Sequence, residues 1–374
     1  MSEVEIVPVQ TRSDMKAFID FPWKIYQDYS NWVPPLKTEV RKLLDTRKHP
    51  FWKFSERVLF LARRGREVMG RIAAIVDGNY NEYHSEKMGA WGFFECIEDE
   101  EVSEALFRSA EQWLRQKGMT FMRGPLNPST NYDVGMLIEG FQYPPVIMMP
   151  YNPPYYLKLA ESSGFEKEKD LLAFHLEQGD EPSNRFKRLV ERIRGNNSIH
   201  IRLFDFKRLD QEALLFKEIY DDAWSDNWGF VPMTNDEMLN AARQLSETAD
   251  PDFCFFIYRA EEPVGAMIAL PDPNPLLKRL NGKVGLFGLL KVLIYRREIK
   301  GGRVLLFGVK KEFHKLGLLM LALDHVMGAF RKKKETYQHA ELGWTIEDNA
   351  SINQVCSEGG AQLYKRYRVF RKPL

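Results

Sequence analysis

The sequence predicts an α/β protein of the α+β kind, built as two halves on one plan. Three observations predict it. At 374 residues the chain exceeds one ordinary domain, and chains of this length divide into two compact cores. Apolar runs of period two, which read as strands, are interspersed with runs of period 3.6, which read as helices. The order of these runs in the second half repeats the order in the first, a repeat of plan rather than of residues.

The first half opens with a strand near Glu5–Val9 and helical stretches through residues 13–45. "RVLFLARR" and "VMGRIAAIVD" read as strands joined by a Gly-containing turn. Strand "GAWGFFECIE" leads into the helix "EVSEALFRSAEQWLRQKG", which stops at Gly118 as helices often do. Strand "FMRG", a long Pro/Asn-rich loop, helix "PPYYLKLAESSG" and strand "LLAFHLE" complete it. The polar stretch "EQGDEPSNRFKRLVERIRGNNS" reads as a linker carrying one helix. Strand "IHIRLFD", helices at 210–224 and 234–247, and strands "FCFFIYRA" and "VGAMIALPD" begin the second half. Strand "GRVLLFGV", an apolar helix, strand "HAELGWTI", helix "ASINQVCSEGG" and strand "YKRYRVFRK" end it. The expected division is 1–178, a linker helix at 179–198, and 199–374.

Composition excludes several classes of protein. A net charge of +1 provides no global field to recruit nucleic acid. The start, "MSEVEIVPVQ", has neither a basic nor an apolar targeting region, and every apolar run is interrupted before bilayer-spanning length. Cys96, Cys254 and Cys356 are odd in number and widely spaced, which argues against a disulfide framework or a metal site. A reducing cytoplasm is the expected compartment.

The stretch "GVKKEFHKLGLLMLALDHVMGAF" carries the chemistry. The first amides of a helix lack intrahelical partners and lie at the positive end of its dipole, so a strand-turn-helix junction can seat an anion. Lys310, Lys311, His314 and Lys315 add positive charge, and Gly317 lets a ligand approach the backbone. The matching junction of the first half, "ECIEDEEVSEAL", is acidic and repels phosphate. A solvated basic turn is the structural alternative.

On these residues the second half resembles the GNAT superfamily of N-acyltransferases, whose strand-loop-helix binds the pyrophosphate of acyl-CoA through an Arg/Gln-x-x-Gly-x-Gly/Ala loop. His314 stands at the Arg/Gln position, Gly317 matches the central glycine, and Leu319 replaces the last small residue. In "ELGWTIEDNASINQVCSEGG", Asn349 and Gly360 match the superfamily pattern, while Cys356 takes the usual Tyr position and Ala361 the usual Phe. The first half resembles a more degenerate copy, with Gly164 and Phe165 echoing the closing Gly-Phe. The resemblance implies two tandem GNAT-like domains, each a mixed, largely antiparallel sheet flanked by helices. It implies acetyl-CoA or another acyl-CoA as co-substrate and an amine acceptor, small molecule or peptide. The alternative is an eroded fold that binds a ligand or partner without turnover.

Acyl transfer to an amine needs a polarised carbonyl, a neutral amine and a proton for the departing thiolate. The resemblance places a strand bulge with a free amide at Gly308 and Val309, and the alternative for Gly308 is a plain strand-end glycine. It assigns the phosphates to Lys311, His314, Lys315, Leu316, Gly317 and Leu318. Glu341, inside an apolar strand, is either a base whose pKa burial raises or a buried partner of an Arg. Cys356 is either the acid for the thiolate or an inert core residue. Asn349 either bonds the pantetheine arm or caps a helix. For the acceptor, the loop 124–156 offers Asn127, Ser129, Asn131 and Asp133, unless its prolines only stiffen a junction. Residues 276–303 carry eight Lys or Arg against one Glu among apolar runs. Such a segment suits an anionic membrane surface, an acyl carrier protein or an acyl-chain pocket, or else is an inserted hairpin packed on the first half.

Overall fold

The computed structural model describes residues 3–285 and 288–374. In chain order the elements of the first part are β1 (Glu5–Pro8), α1 (Arg12–Asp20), α2 (Pro22–Ile25), α3 (Lys37–Leu43), β2 (Ser55–Arg64), β3 (Glu67–Asp77) and α4 (Gly78–His84). They continue with β4 (Met88–Cys96), α5 (Glu100–Gln116), β5 (Phe121–Gly124), β6 (Leu126–Asn127), β7 (Asp133–Val134), β8 (Met136–Glu139), α6 (Tyr156–Ser162) and β9 (Glu166–Glu177). Then come α7 (Asn184–Arg194), β10 (Ile199–Leu203), α8 (Leu209–Trp224), α9 (Asn235–Ser246), β11 (Cys254–Arg259), β12 (Glu262–Pro271), α10 (Asn274–Leu280) and α11 (Gly288–Tyr295). β13 (Gly301–Val309), α12 (Leu318–Lys332), β14 (His339–Ile346), α13 (Ala350–Glu358) and β15 (Gln362–Pro373) close the chain.

The chain forms two compact units. The first holds residues up to Leu171 with Leu277–Lys291 and Arg366–Leu374, and the second holds Leu172–Leu276 with Val292–Lys365. Strand order in the first unit is β1-β2-β3-β4-β5-β15, with β8 also on β15. All these pairs are antiparallel except β4 with β5. In the second the order is β9-β14-β13-β12-β11-β10, and β13 with β14 is parallel while β10 to β13 are antiparallel. Each unit is therefore the mixed, largely antiparallel sheet with helices that the resemblance implies.

Alternation places the cores. In the first unit Trp91, Phe94, Phe107, Phe165 and Phe370 interlock around α5, whose apolar stripe includes Val102, Leu106, Ala110 and Leu114. In the second unit α12 buries Leu318, Leu321, Ala322 and Val326 on one face of the sheet, while α8 and α9 cover the other with Phe216, Ile219 and Met238. The stretch 179–198 is more than a tether, because α7 buries Phe186 and Val190 beside Leu323 and Met327 of α12.

Two regions differ from the sequence expectation. The 124–156 loop contains a small ribbon, β6 on β7, and the strand β8. The segment 276–303 is not a hairpin of strands, since apolar residues there recur at helical spacing and form α10 and α11. Leu286 and Phe287 of that segment lie outside the described residues.

The ribbon depends on one glycine. A Cβ on Gly92 would stand 1.8 Å from the backbone carbonyl of Leu126, an atom that cannot rotate away. Gly92→Ala is expected to lower the thermal midpoint, at a cost of about 1–3 kcal/mol typical of overpacking or more. Differential scanning calorimetry checks this, and an unchanged midpoint would refute the close approach.

Candidate active site

The second unit opens where two of its strands stop pairing. On the β12 side, Ile268 faces Leu306 and Ala269 faces Val304, so Leu305 is an extra residue, a bulge. On the other side the parallel ladder runs only from Gly301 opposite His339 to Val304 opposite Leu342. Beyond it β13 continues to Val309 and β14 to Ile346 without a shared ladder. The bulge thus lies three residues before the expected Gly308. Gly308 and Val309 pair regularly with Ala266 and Gly265, and Gly308 is required because the Trp224 ring lies 2.2 Å from where its Cβ would be.

The opened edge leads into the mouth of α12. Gly317, at φ +69°, is the N-cap, and neither a side-chain cap nor a first-turn acid occupies the helix end. Its free amides and dipole form an anion seat. The basic residues contribute unequally. Lys310 pairs with Glu262 at 2.9 Å, and Lys311 with Asp226 at 2.5 Å while its amide donates to Asp222. His314 Nε2 lies 2.8 Å from the Val309 carbonyl, so the ring braces the turn instead of pointing outward freely. Leu316 packs against the core and Leu318 is buried. Lys315 is exposed and has no ion-pair partner among the described residues, which leaves it as the uncommitted cation of the turn.

The first unit has the same opening, filled by its own side chains. Its parallel ladder ends at Ala90 opposite Arg123, and a bulge follows between Gly92 and Glu95, with Phe93 at φ +48°. The Phe93 amide donates to Asn127 Oδ1 at 2.6 Å. Beyond it the Cys96 amide donates to the Tyr156 hydroxyl at 2.9 Å, and the Cys96 carbonyl accepts from Tyr155 at 2.8 Å. The helix mouth is capped by Asp99 and carries Glu100 and Glu101, with Arg64 paired to Asp99 and Glu101. Glu95, which the sequence reading passed over, lies there with its side chain 12% exposed. Desolvation raises its carboxyl above the usual range, and Tyr156 donates to it at 2.8 Å.

The residues proposed for proton transfer sit in unlike surroundings. Glu341 is 1% exposed and takes the Arg partner the sequence allowed. Arg303 Nε lies 3.4 Å from one carboxylate oxygen and Lys365 Nζ 3.8 Å from the other, which also accepts from the Tyr364 hydroxyl. Burial pulls the Lys365 amine below its ordinary pKa, partly offset by the Glu341 charge. Arg303, Tyr364 and Lys365 escaped the sequence reading, although a Lys and an Arg inside apolar strands were a signal that a buried carboxylate answers. Cys356 has the surroundings expected of its inert-core reading. It lies among Leu323, Met327, Leu342 and Val355, and burial pushes its thiol up to about 12, which leaves it a poor acid for a thiolate. Asn349 accepts from the Ile352 amide at 3.3 Å and so caps α13.

The acceptor candidates fall in the first unit and the donor candidates in the second. Asn127 is spent on the Phe93 amide and lies opposite Asp133 in the ribbon. Ser129 is buried, and its hydroxyl accepts from the Asn131 amide at 3.3 Å. These residues hold the loop's shape. Among the described residues no cluster of His, Cys, Asp or Glu could hold a metal, and no helix is long and apolar enough to cross a membrane.

No protein-family model matches the chain. It is 34% identical to the bacterial ceramide synthase of Caulobacter vibrioides, over all of this chain and 98% of that protein. It is 32% identical to protein YghO of Escherichia coli, over 97% and 94% of the two. Among solved structures it resembles a tandem GNAT protein from the clavulanic acid biosynthesis pathway, with a TM-score of 0.59 and 12% identity over 99% of this chain and 98% of that one. A GCN5-related N-acetyltransferase from Sphaerobacter thermophilus gives a TM-score of 0.55 and 14% identity over 99% and 95%.

Glu341→Gln removes the charge that balances Arg303 and Lys365 while keeping the side chain's shape. Breaking a buried ion pair from one side typically costs about 3–5 kcal/mol, so the variant is expected to melt well below the wild type. Equal melting temperatures would show that the carboxylate is not holding these cations.

Proposed function

This chain belongs to the GNAT superfamily, in the family of the Caulobacter ceramide synthase and Escherichia coli YghO, and on that premise we propose an acyl-CoA-dependent N-acyltransferase whose acceptor is a long-chain amino alcohol of the sphingoid kind. The observation that carries the donor half is the opened β13 edge running into the uncapped mouth of α12. A phosphate-bearing donor would rest its anionic end on the α12 amides and Lys315 and lay its amide-rich arm along β13. The thioester carbonyl would then meet an amide near Leu305, which polarises it. The amine nitrogen attacks that carbon, the C–S bond breaks, and the amine's proton is lost as the thiol leaves. The Asn127, Tyr155 and Tyr156 bonds argue against a donor in the first unit, because they occupy the matching edge. The acceptor class rests on the relative's name and its 34% identity over the full length.

The basic, apolar segment supports an acceptor drawn from a lipid phase. Val284 and Ile294 are 54% and 56% exposed, and Lys283, Lys291, Arg296 and Arg297 are exposed near them in sequence. Such residues suit an anionic membrane surface better than a soluble substrate. Replacing the four basic residues by Glu is expected to abolish flotation with anionic vesicles. Unchanged flotation, or none by the wild type, would remove the segment from this role.

A binding module without turnover is favoured by Cys356, whose apolar site lacks the hydroxyl common at that position. Incubation with sphinganine and acetyl- or long-chain acyl-CoAs separates the two. The expected outcome is an N-acylated product by mass spectrometry with one thiol released per amide. Binding of acyl-CoA with no product from any amine would favour the module instead. Lys315→Glu is expected to weaken acyl-CoA binding about tenfold, roughly the effect of 1.4 kcal/mol, by calorimetric titration. Glu101→Gln in the first unit should leave it unchanged, and equal losses would put the donor in the wrong half.

A further inference from the structure

The end of the β13–β14 ladder is marked by a buried arginine. Arg303 lies on the paired part of β13, opposite Glu341. Its Nε donates to the carbonyl of Gly343 at 3.0 Å, in the same place where it meets the Glu341 carboxylate at 3.4 Å. Gly343 is the first residue of β14 beyond the last pair, Val304 with Leu342. The carbonyl at the point where pairing stops is thus held by a side chain of the neighbouring strand.

Two further observations show that this spot is built. Gly343 has φ +148°, a conformation that side chains rarely tolerate, and a Cβ there would stand 3.0 Å from the Leu172 carbonyl. Arg303 and Glu341 are 2% and 1% exposed, so neither the guanidinium nor the carboxylate can turn to water. Lys365 and Tyr364 hold the far oxygen of the carboxylate, which directs the near one to Arg303.

We propose that Arg303, anchored by Glu341 and bonded to the Gly343 carbonyl, is the wedge that ends the ladder and keeps the donor cleft of the second unit open. It is a positioning residue and touches no reacting atom. The inference gives Glu341 a task other than proton acceptance, namely to aim the guanidinium. It rests on the donor site proposed above for its consequence in binding, and on backbone geometry alone for its effect on pairing.

Arg303→Lys is the direct test. An ammonium keeps the charge opposite Glu341 but lacks the fixed, planar Nε–H that the guanidinium aims at the Gly343 carbonyl. Hydrogen exchange followed residue by residue needs no ligand. The amides of residues 305–309 and 343–346 are expected to exchange at least about tenfold more slowly in the variant, as the strands gain bonds to each other. Acyl-CoA binding is expected to weaken by at least about tenfold, with kcat at saturation changed much less than KM. If the single variant fails to fold, Arg303→Met, Glu341→Met and Lys365→Met together remove all three buried charges, a change that folds commonly tolerate, and the same two readouts apply. Exchange rates and acyl-CoA affinity both equal to wild type, in whichever variant folds, would overturn the wedge. A wild type that binds no acyl-CoA would instead defeat the proposed donor site, while exchange still judges the wedge.

Discussion

Everything distinctive about the second unit follows from where one parallel ladder stops. Backbone N–H and C=O groups must be paired when they leave water, so two adjacent strands ordinarily keep pairing to their ends. β13 and β14 share only four residue pairs, then run on separately for several residues. The Leu305 bulge turns β13 relative to β12, and Arg303 accounts for the first carbonyl that β14 has left over. The remaining polar edge is the feature a ligand's amides could complete.

The two units show the same opening with opposite outcomes. In the first, Asn127 and the paired tyrosines Tyr155 and Tyr156 satisfy the backbone past the bulge, and an acidic helix mouth completes the closure. In the second, among the described residues only His314 reaches the 305–309 backbone from a side chain, and the helix mouth is bare. The difference lies in a few polar side chains on neighbouring elements and in the sign of one helix turn. One architecture thereby has its strand edge closed by side chains in one half and left open in the other.

The charges around Glu341 illustrate what burial does to chemistry. The Glu341 carboxylate faces Arg303 with one oxygen and Lys365 with the other, and so anchors both buried cations. Such groups contribute little net stability over an apolar core of equal volume, yet each is costly to remove alone. Their value here is directional: they fix where a guanidinium points. Cys356 makes the complementary case, since the same burial that keeps it in the apolar core holds its proton in place.

The sequence by itself determined most strands and helices and their repeated order, because period-two and period-3.6 patterns and turn glycines act locally. It also marked the basic mouth of α12 against the acidic mouth of α5, since charge beside a helix start needs no tertiary knowledge. The tertiary structure decided which of those residues were already committed, Lys311 to Asp226 and His314 to a carbonyl, and it likewise tied the acceptor candidate Asn127 to the Phe93 amide. It moved the bulge from Gly308 to Leu305, because register depends on the partner strand and not on the glycine. It made helices of the 276–303 segment, and it joined Arg303, Glu341, Tyr364 and Lys365, which lie up to 62 positions apart in the chain. A charged residue inside an apolar strand announces locally that it needs a buried partner, but which residue answers it depends on long-range strand pairing, and that is why this group had to be seen in the fold.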